Sequence, residues 1–242
     1  MTAYILLALA GVLGGGIASV AGFGIGSILT PTFATQVGTK LAVAAVSIPH
    51  LCGTVLRLWP VRRRIDRHVL LSFGIASAAG GLVGALLHAR LQSPILGYVL
   101  GALLVFASAM ELTGWNSRMR FAGVTSWFAG ALSGLFGGLV GNQGGIRSAA
   151  MLGFDIRKEA FVATATAIAL LVDAARMPVY VATQAGEIAR VWPAVLVMAA
   201  GVMAGTVIGW VFLKRIPDKI FRKVVAVIIL ALGLAMLAGV GR

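Results

Sequence analysis

Eight apolar runs divide the chain, at about 3–38, 41–60, 69–88, 94–112, 121–154, 160–183, 191–213 and 224–241. A helix needs roughly 20 residues to cross ~30 Å of hydrocarbon, and six of the runs have about that length. The first and fifth do not. Residues 1–39 carry no charge at all, and the fifth run extends over more than thirty residues. At ~1.5 Å per residue, straight helices of that length would overshoot the bilayer. Each long run has a glycine and polar cluster in its middle, "GGGIASVAGFGIGS" (Gly14–Ser27) and "GGLVGNQGGIRS" (Gly137–Ser148). The pattern therefore predicts two broken helices among six simple crossings.

The clusters superimpose with a shift of 119, which places Gly15 on Gly134, Gly22 on Gly141, Gly26 on Gly145 and Arg57 on Arg176. Further on the shift drifts to 123, where Pro94 meets Pro217. This weak repeat divides a single transmembrane domain, 1–242, into halves at about 1–118 and 119–242.

Composition agrees with the pattern. A chain that is 60% hydrophobic and 11% charged has too much apolar surface for a soluble interior, which places it in lipid. A net charge of +13 would point to nucleic acid in a soluble protein. Here the basic residues lie between apolar runs, where they orient the chain, so no nucleic-acid partner is expected. If every run crossed once, lysines and arginines would split nine against nine. If the first run of each half is instead a re-entrant hairpin, fourteen gather on one face. These are Arg57, Arg62, Arg63, Arg64, Arg67, Arg118, Arg120, Arg157, Lys158, Lys214, Arg215, Lys219, Arg222 and Lys223. Lys40, Arg90, Arg190 and Arg242 fall on the other face, and Arg147 and Arg176 stay within the membrane. The positive-inside rule favours this second arrangement. It leaves three crossings per half, so the halves are inverted and both termini lie outside the cytoplasm. The N-terminal run lacks a basic n-region and reads as a retained membrane segment.

The hairpins explain the glycines. A chain that reverses inside lipid frees backbone groups that must line a polar cavity. Half-helices meeting there are how many transporters build a site. Asn142 and Gln143 offer amides, Gly144 and Gly145 open a second half-helix whose N-terminus suits an anion, and Arg147 lies one turn in. Gly24, Gly26 and Ser27 stand in the matching place of the first half. The alternative reading is that the two amides only satisfy broken helix ends. Asp173 and Arg176 in "LLVDAARMPVY" are three apart and form a charge pair, functional or structural, with Pro178 kinking the helix just beyond. Arg57 reads as snorkelling to the basic loop. His50, after Pro49, reads as bonding a backbone carbonyl, or else as a proton-linked group. The hydroxyls of Ser27, Thr30, Ser47, Thr54, Ser148, Thr164 and Thr166 either line the cavity or bond their own helices.

Other features carry less. "GVMAGTVIG" and "GYVLG" space glycines by four, as helix-packing faces do within a bundle, and a homodimer is compatible with them. "GFGIG" follows no strand and is not a dinucleotide motif. One cysteine, Cys52, and three histidines without ligand spacing predict no disulfide, metal site or cofactor.

Two stretches of the first half, "SVAGFGIGSILTPTFA" and "GTKLAVAAVSIPHL", resemble the sulfite exporter TauE/SafE family, also called the toluene sulfonate uptake permease family. So do "GLFGGLVGNQGGIRSAAMLGFDIRKEAFVATATAI" and "PDKIFRKVVAVIILALGL" in the second half. The resemblance implies a bacterial inner-membrane transporter of small sulfur-containing or organic acid anions such as sulfite, sulfonates or sulfoacetate. It places the site around Gly22–Ser27 and Gly141–Ser148. The expected fold is an all-α membrane protein with eight hydrophobic segments in two inverted repeats, each beginning with a broken re-entrant hairpin. The expected substrate-binding residues are Asn142, Gln143, Gly144, Gly145, Arg147, Gly24, Gly26, Ser27 and Arg176, with Asp173 and His50 as coupling or charge-pair groups. Coupling to a proton or to sodium is left open. An anion channel is the nearer alternative. An intramembrane enzyme is the further one, because no nucleophile–base or metal-ligand spacing exists.

Overall fold

The computed structural model describes residues 1–114, 124–151, 154, 156–211 and 218–241. The described residues form helices and turns without strands. The first apolar run splits into α1 (Thr2–Ala21) and α2 (Ile25–Val37), separated by Gly22–Gly24. The chain continues through α3 (Thr39–Leu58), a 3-10 turn (Trp59–Arg64), α4 (Arg67–Val69) and a π turn (Leu70–Gly74) into α5 (Ile75–Arg90) and α6 (Ser93–Thr113). The fifth run likewise splits, into α7 (Val124–Val140) and α8 (Gly144–Met151). Then come α9 (Lys158–Arg190), α10 (Trp192–Val211) and α11 (Asp218–Leu237). Among the described residues six helices are long and apolar enough to cross a membrane, and Val124–Val140 and Lys223–Leu237 are shorter apolar helices.

Glycine makes the tightest helix pairs. A side chain on Gly11 or Gly15 of α1 would run into the backbone of Met198 or Val202 on α10, and one on Gly205 into Val12. The ascending register makes the two helices parallel. In the other half Gly80 and Gly84 of α5 face the carbonyls of Ala131 and Leu135 on α7, and Gly134 and Gly138 face those of Ser77 and Gly81, again in parallel. Small residues let backbones approach this closely, which supplies the packing that a hydrophobic drive cannot supply in lipid. The spacing of "GVMAGTVIG" thus belongs within the bundle, as does "GYVLG": Gly101 packs on Gly233 and Leu237 of α11. Between these pairs α3 and α9 cross antiparallel. His50 meets Asp173 at their middle, while Val43 and Ala44 share a core cluster with Tyr180 and Ile188.

The charged loops sort to two ends. The Asp66 N–H donates to Thr164 Oγ1 at 2.9 Å, which joins the exposed arginines 62–64 and 67 to the start of α9. At the opposite end Lys40 Nζ donates to Ala89 O at 2.8 Å, and Lys40 and Arg190 line one cleft. Thr39 Oγ1 donates to Gly241 O at 2.8 Å, placing the C-terminus at that second end, and the parallel α1–α10 register places Met1 there too. Exposed Trp59 and Trp192 sit at opposite ends, as interfacial anchors do. Arg118, Arg120, Lys214, Arg215, Pro217 and Arg242 of the charge and repeat arguments lie outside the described residues.

Two local expectations change. Arg57 does not snorkel: it is buried at 3% exposure and its Nη1 donates to Ala18 O at 2.8 Å. The broken end of α1 offers carbonyls that a guanidinium can satisfy without leaving the bundle. Pro178 does not mark the kink either. Helical backbone passes through it, and the non-helical residue is Gln184, whose Nε2 lies 3.2 Å from His88 Nε2.

Candidate functional site

The site is built by two helix interruptions that touch. Gly22 (φ 80°) and Gly141 (φ 72°) both adopt the left-handed conformation that ends α1 and α7, which residues with a Cβ rarely adopt. Gly26 faces the carbonyl of Gly141 so closely that a Cβ would overlap it, and Gly144 packs on the Phe23 side chain. Contact between the breaks therefore requires glycine in both.

Carbonyls at a broken end need donors. At α7 the Gly137 carbonyl accepts from Arg176 Nη1 (2.6 Å) and Gly141 N–H (3.1 Å), Gly138 from the Tyr180 hydroxyl, and Leu139 from His88 Nδ1 (2.8 Å). At α1 the Ala18 carbonyl accepts from Arg57 and from Gly22 N–H (3.0 Å), and Gly22 from Arg147 Nη2 (3.1 Å). Arg57 on Ala18 and Arg176 on Gly137 repeat one contact at a sequence shift of 119.

The other side of each break is short of acceptors. Ile28 N–H to Gly24 O and Arg147 N–H to Gln143 O are the first bonds of α2 and α8. The N–H groups before them, from Ile25 to Ser27 and from Gly144 to Ile146, are not used by their helices. Two helix N-termini thus converge on a cavity of about 20 Å³, room for about one water. Its lining includes Gly24, Gly26, Ser27, His50, Asn142, Gln143, Gly144, Arg147 and Arg176.

Ser27 Oγ donates to Asn142 Oδ1 at 3.2 Å, which leaves the Asn142 Nδ2 donors to the cavity. Arg147 is 2% exposed, and its Nε and Nη1 have no hydrogen-bond partner among the described residues. Arg176 donates through Nε to Asp173 Oδ1 (2.9 Å), its Nη2 lies 2.7 Å from the same oxygen as an ion pair, and Asp173 Oδ2 lies 2.7 Å from His50 Nδ1. His50 therefore bonds a carboxylate, not the backbone carbonyl expected beside Pro49. Thr54 Oγ1 is 3.5 Å from the same His50 nitrogen.

The cavity gathers the expected residues that are described, with one exception. Asp173 is fully buried behind the wall and reaches the cavity through His50 and Arg176, and the surroundings of Gly145, in the first turn of α8, lie outside what is described. Ser47 and Thr166 bond carbonyls of their own helices, and Thr164 caps the Asp66 N–H. Arg57, Tyr180 and His88 were not expected at the broken ends. The shift of 119 carried the signal for Arg57 by aligning it with Arg176; nothing in the sequence singled out Tyr180 or the burial of His88. Among the described residues no cluster of His, Cys, Asp or Glu could hold a metal ion.

A second cavity of about 20 Å³ shares Phe23, Ser27 and Asn142 with the first and extends between α6 and α11, along Ala107, Ser108, Glu111, Val225 and Ile229.

The family model for sulfite exporter TauE/SafE matches residues 7–236, nearly the whole chain. No curated protein and no solved structure matches it.

Proposed function

The chain belongs to the sulfite exporter TauE/SafE family of membrane transporters, not enzymes, and from that premise we propose that it carries a small sulfur-containing or organic acid anion by alternating access at the cavity between the two breaks. One observation carries the reading. A buried guanidinium with two unpartnered nitrogens, Arg147, lines the same cavity as two helix N-termini and the Asn142 amide. Anions are stabilised where helix N–H groups and fixed cations converge in a low dielectric, and a cation is the one group repelled there.

The cavity is smaller than an anion such as sulfite, so entry requires the half-helices to move apart. The glycine-lined pairs α1–α10 and α5–α7 are suited to rocking as units about α3 and α9. Inverted halves support this mechanism: the arginine-to-carbonyl contact recurs at Arg57 and Arg176, and the helices that carry it, α3 and α9, run antiparallel. The end bearing the arginines 62–64 and 67 is then cytoplasmic, and both termini are periplasmic in a bacterial inner membrane. The α6–α11 cavity is the cytoplasmic approach. His50 and Asp173 are the groups positioned to couple transport to a proton.

Proteoliposome flux tests the reading. Saturable uptake of sulfite or sulfoacetate with counterflow is expected. Ohmic current without counterflow means a channel, and no flux with any such anion refutes the reading. Asn142→Ala should weaken anion binding about ten- to a hundredfold, with melting unchanged. Loss of fold in that variant would reduce Asn142 to a cap on a broken helix.

A further inference from the structure

We propose that the site selects doubly charged over singly charged anions, because Arg57 and Arg147 are buried without a paired carboxylate among the described residues, and that Thr54 is the residue that keeps Arg57 unpaired. The proposal rests on the transport reading above and specifies its substrate.

Three guanidinium groups are buried around the two breaks, Arg57, Arg147 and Arg176, at 2–3% exposure. Among the described residues Asp173 is the carboxylate paired there, and its two oxygens are taken by Arg176 and His50. Arg176 is thereby neutralised. Arg57 and Arg147 donate to carbonyls, those of Ala18 and Gly22, one turn apart at the end of α1, and among the described residues neither is ion-paired with a carboxylate. Carbonyls satisfy N–H groups but leave the charge, and the Nε of both arginines and Nη1 of Arg147 have no hydrogen-bond partner among the described residues. The cluster keeps two positive charges even with His50 neutral. Uncompensated buried charge is costly, so the cluster favours whatever restores neutrality. One doubly charged anion does so; a monoanion leaves half the charge uncovered.

The repeat shows what removed the counterion. Asp173 lies three residues before Arg176, and the shift of 119 brings Asp173 onto Thr54, three residues before Arg57. The first half keeps the arginine, its helix and its carbonyl partner but has a neutral hydroxyl where the second half has the carboxylate. Thr54 is fully buried and within 3.5 Å of the cavity-lining His50, so a carboxylate there would act on the site directly.

The test compares sulfate and thiosulfate, which are dianions, with methanesulfonate, a monoanion carrying a similar head group. Binding is measured by calorimetry on the purified full chain at constant ionic strength, so that screening is equal. The wild type is expected to bind the dianions at least about tenfold more tightly, the factor a second buried charge pairing readily supplies. Thr54→Asp should bring the anions to within about threefold of one another without lowering the melting temperature. Thr54→Asn, neutral and similar in size, should keep the preference. If Thr54→Asp does not fold, Arg57→Gln should collapse the preference in the same way. Equal wild-type affinities, or a preference that survives both Thr54→Asp and Arg57→Gln, overturn the proposal. Methanesulfonate binding alone overturns it while the transport reading stands; no binding by any of these anions overturns both.

Discussion

Removing either member of the Asp173–Arg176 pair should damage the protein, and removing both should restore its stability but not its transport. Asp173 is fully buried, accepts one hydrogen bond from Arg176 at 2.9 Å, has a second guanidinium nitrogen at 2.7 Å, and lies 2.7 Å from His50. Asp173→Asn leaves Arg176 as a third uncompensated guanidinium, and breaking a buried pair in this way costs about 3–5 kcal/mol. Arg176→Gln leaves Asp173 paired with His50 alone and also removes the charged one of the two donors to the Gly137 carbonyl at the end of α7, which keeps only Gly141 N–H. Losing a hydrogen bond from a charged donor adds about 1.5–3 kcal/mol, so this single variant should be hurt at least as badly unless His50 takes up a proton. Asp173→Asn with Arg176→Gln removes both charges together, and its coupling energy in a double-mutant cycle should be at least about 2 kcal/mol in favour of the pair. Thermal unfolding of the four purified proteins in one detergent gives the cycle, and proteoliposome flux gives activity. Single variants that melt like the wild type would refute the burial argument. A double variant with full flux would show the pair to be structural only.

Cysteine labelling in a Cys52→Ser background should find positions 64 and 223 reactive from the cytoplasm and position 240 from the periplasm; 64 and 223 on opposite sides would end the inverted-repeat reading. Gly134→Ala puts a methyl group against the Ser77 carbonyl in the parallel α5–α7 pair, with an expected loss of about 1–3 kcal/mol seen as a lower melting temperature and poor expression. Gly22→Ala meets open space and is strained only by its left-handed backbone, so it should cost about 1–2 kcal/mol and leave helix packing intact. A smaller melting loss for Gly134→Ala than for Gly22→Ala would show that backbone contact does not hold α5 against α7.

Hydropathy, glycine spacing and charge determined which segments are apolar helices, where the two long runs break, which glycines face a neighbouring helix and which loops are basic. Each is legible along one dimension because lipid enforces it locally: a span must be about 20 residues long, and a left-handed break calls for glycine. The repeat even aligned Arg57 with Arg176. Their shared role emerged only once the helices were packed, because the partner of each arginine lies 39 residues away on another helix. His50 finds Asp173 across 123 residues, where local reasoning named a carbonyl beside Pro49 or a proton-linked role without its partner. The bend in α9 falls at Gln184 beside His88 and not at Pro178, since the neighbouring helix, not the nearest proline, sets where the backbone departs from the helix. Spans and breaks answer to the solvent around the chain. Which cation is left without a carboxylate depends on how α1, α3, α8 and α9 cross, and the tertiary structure alone decides that.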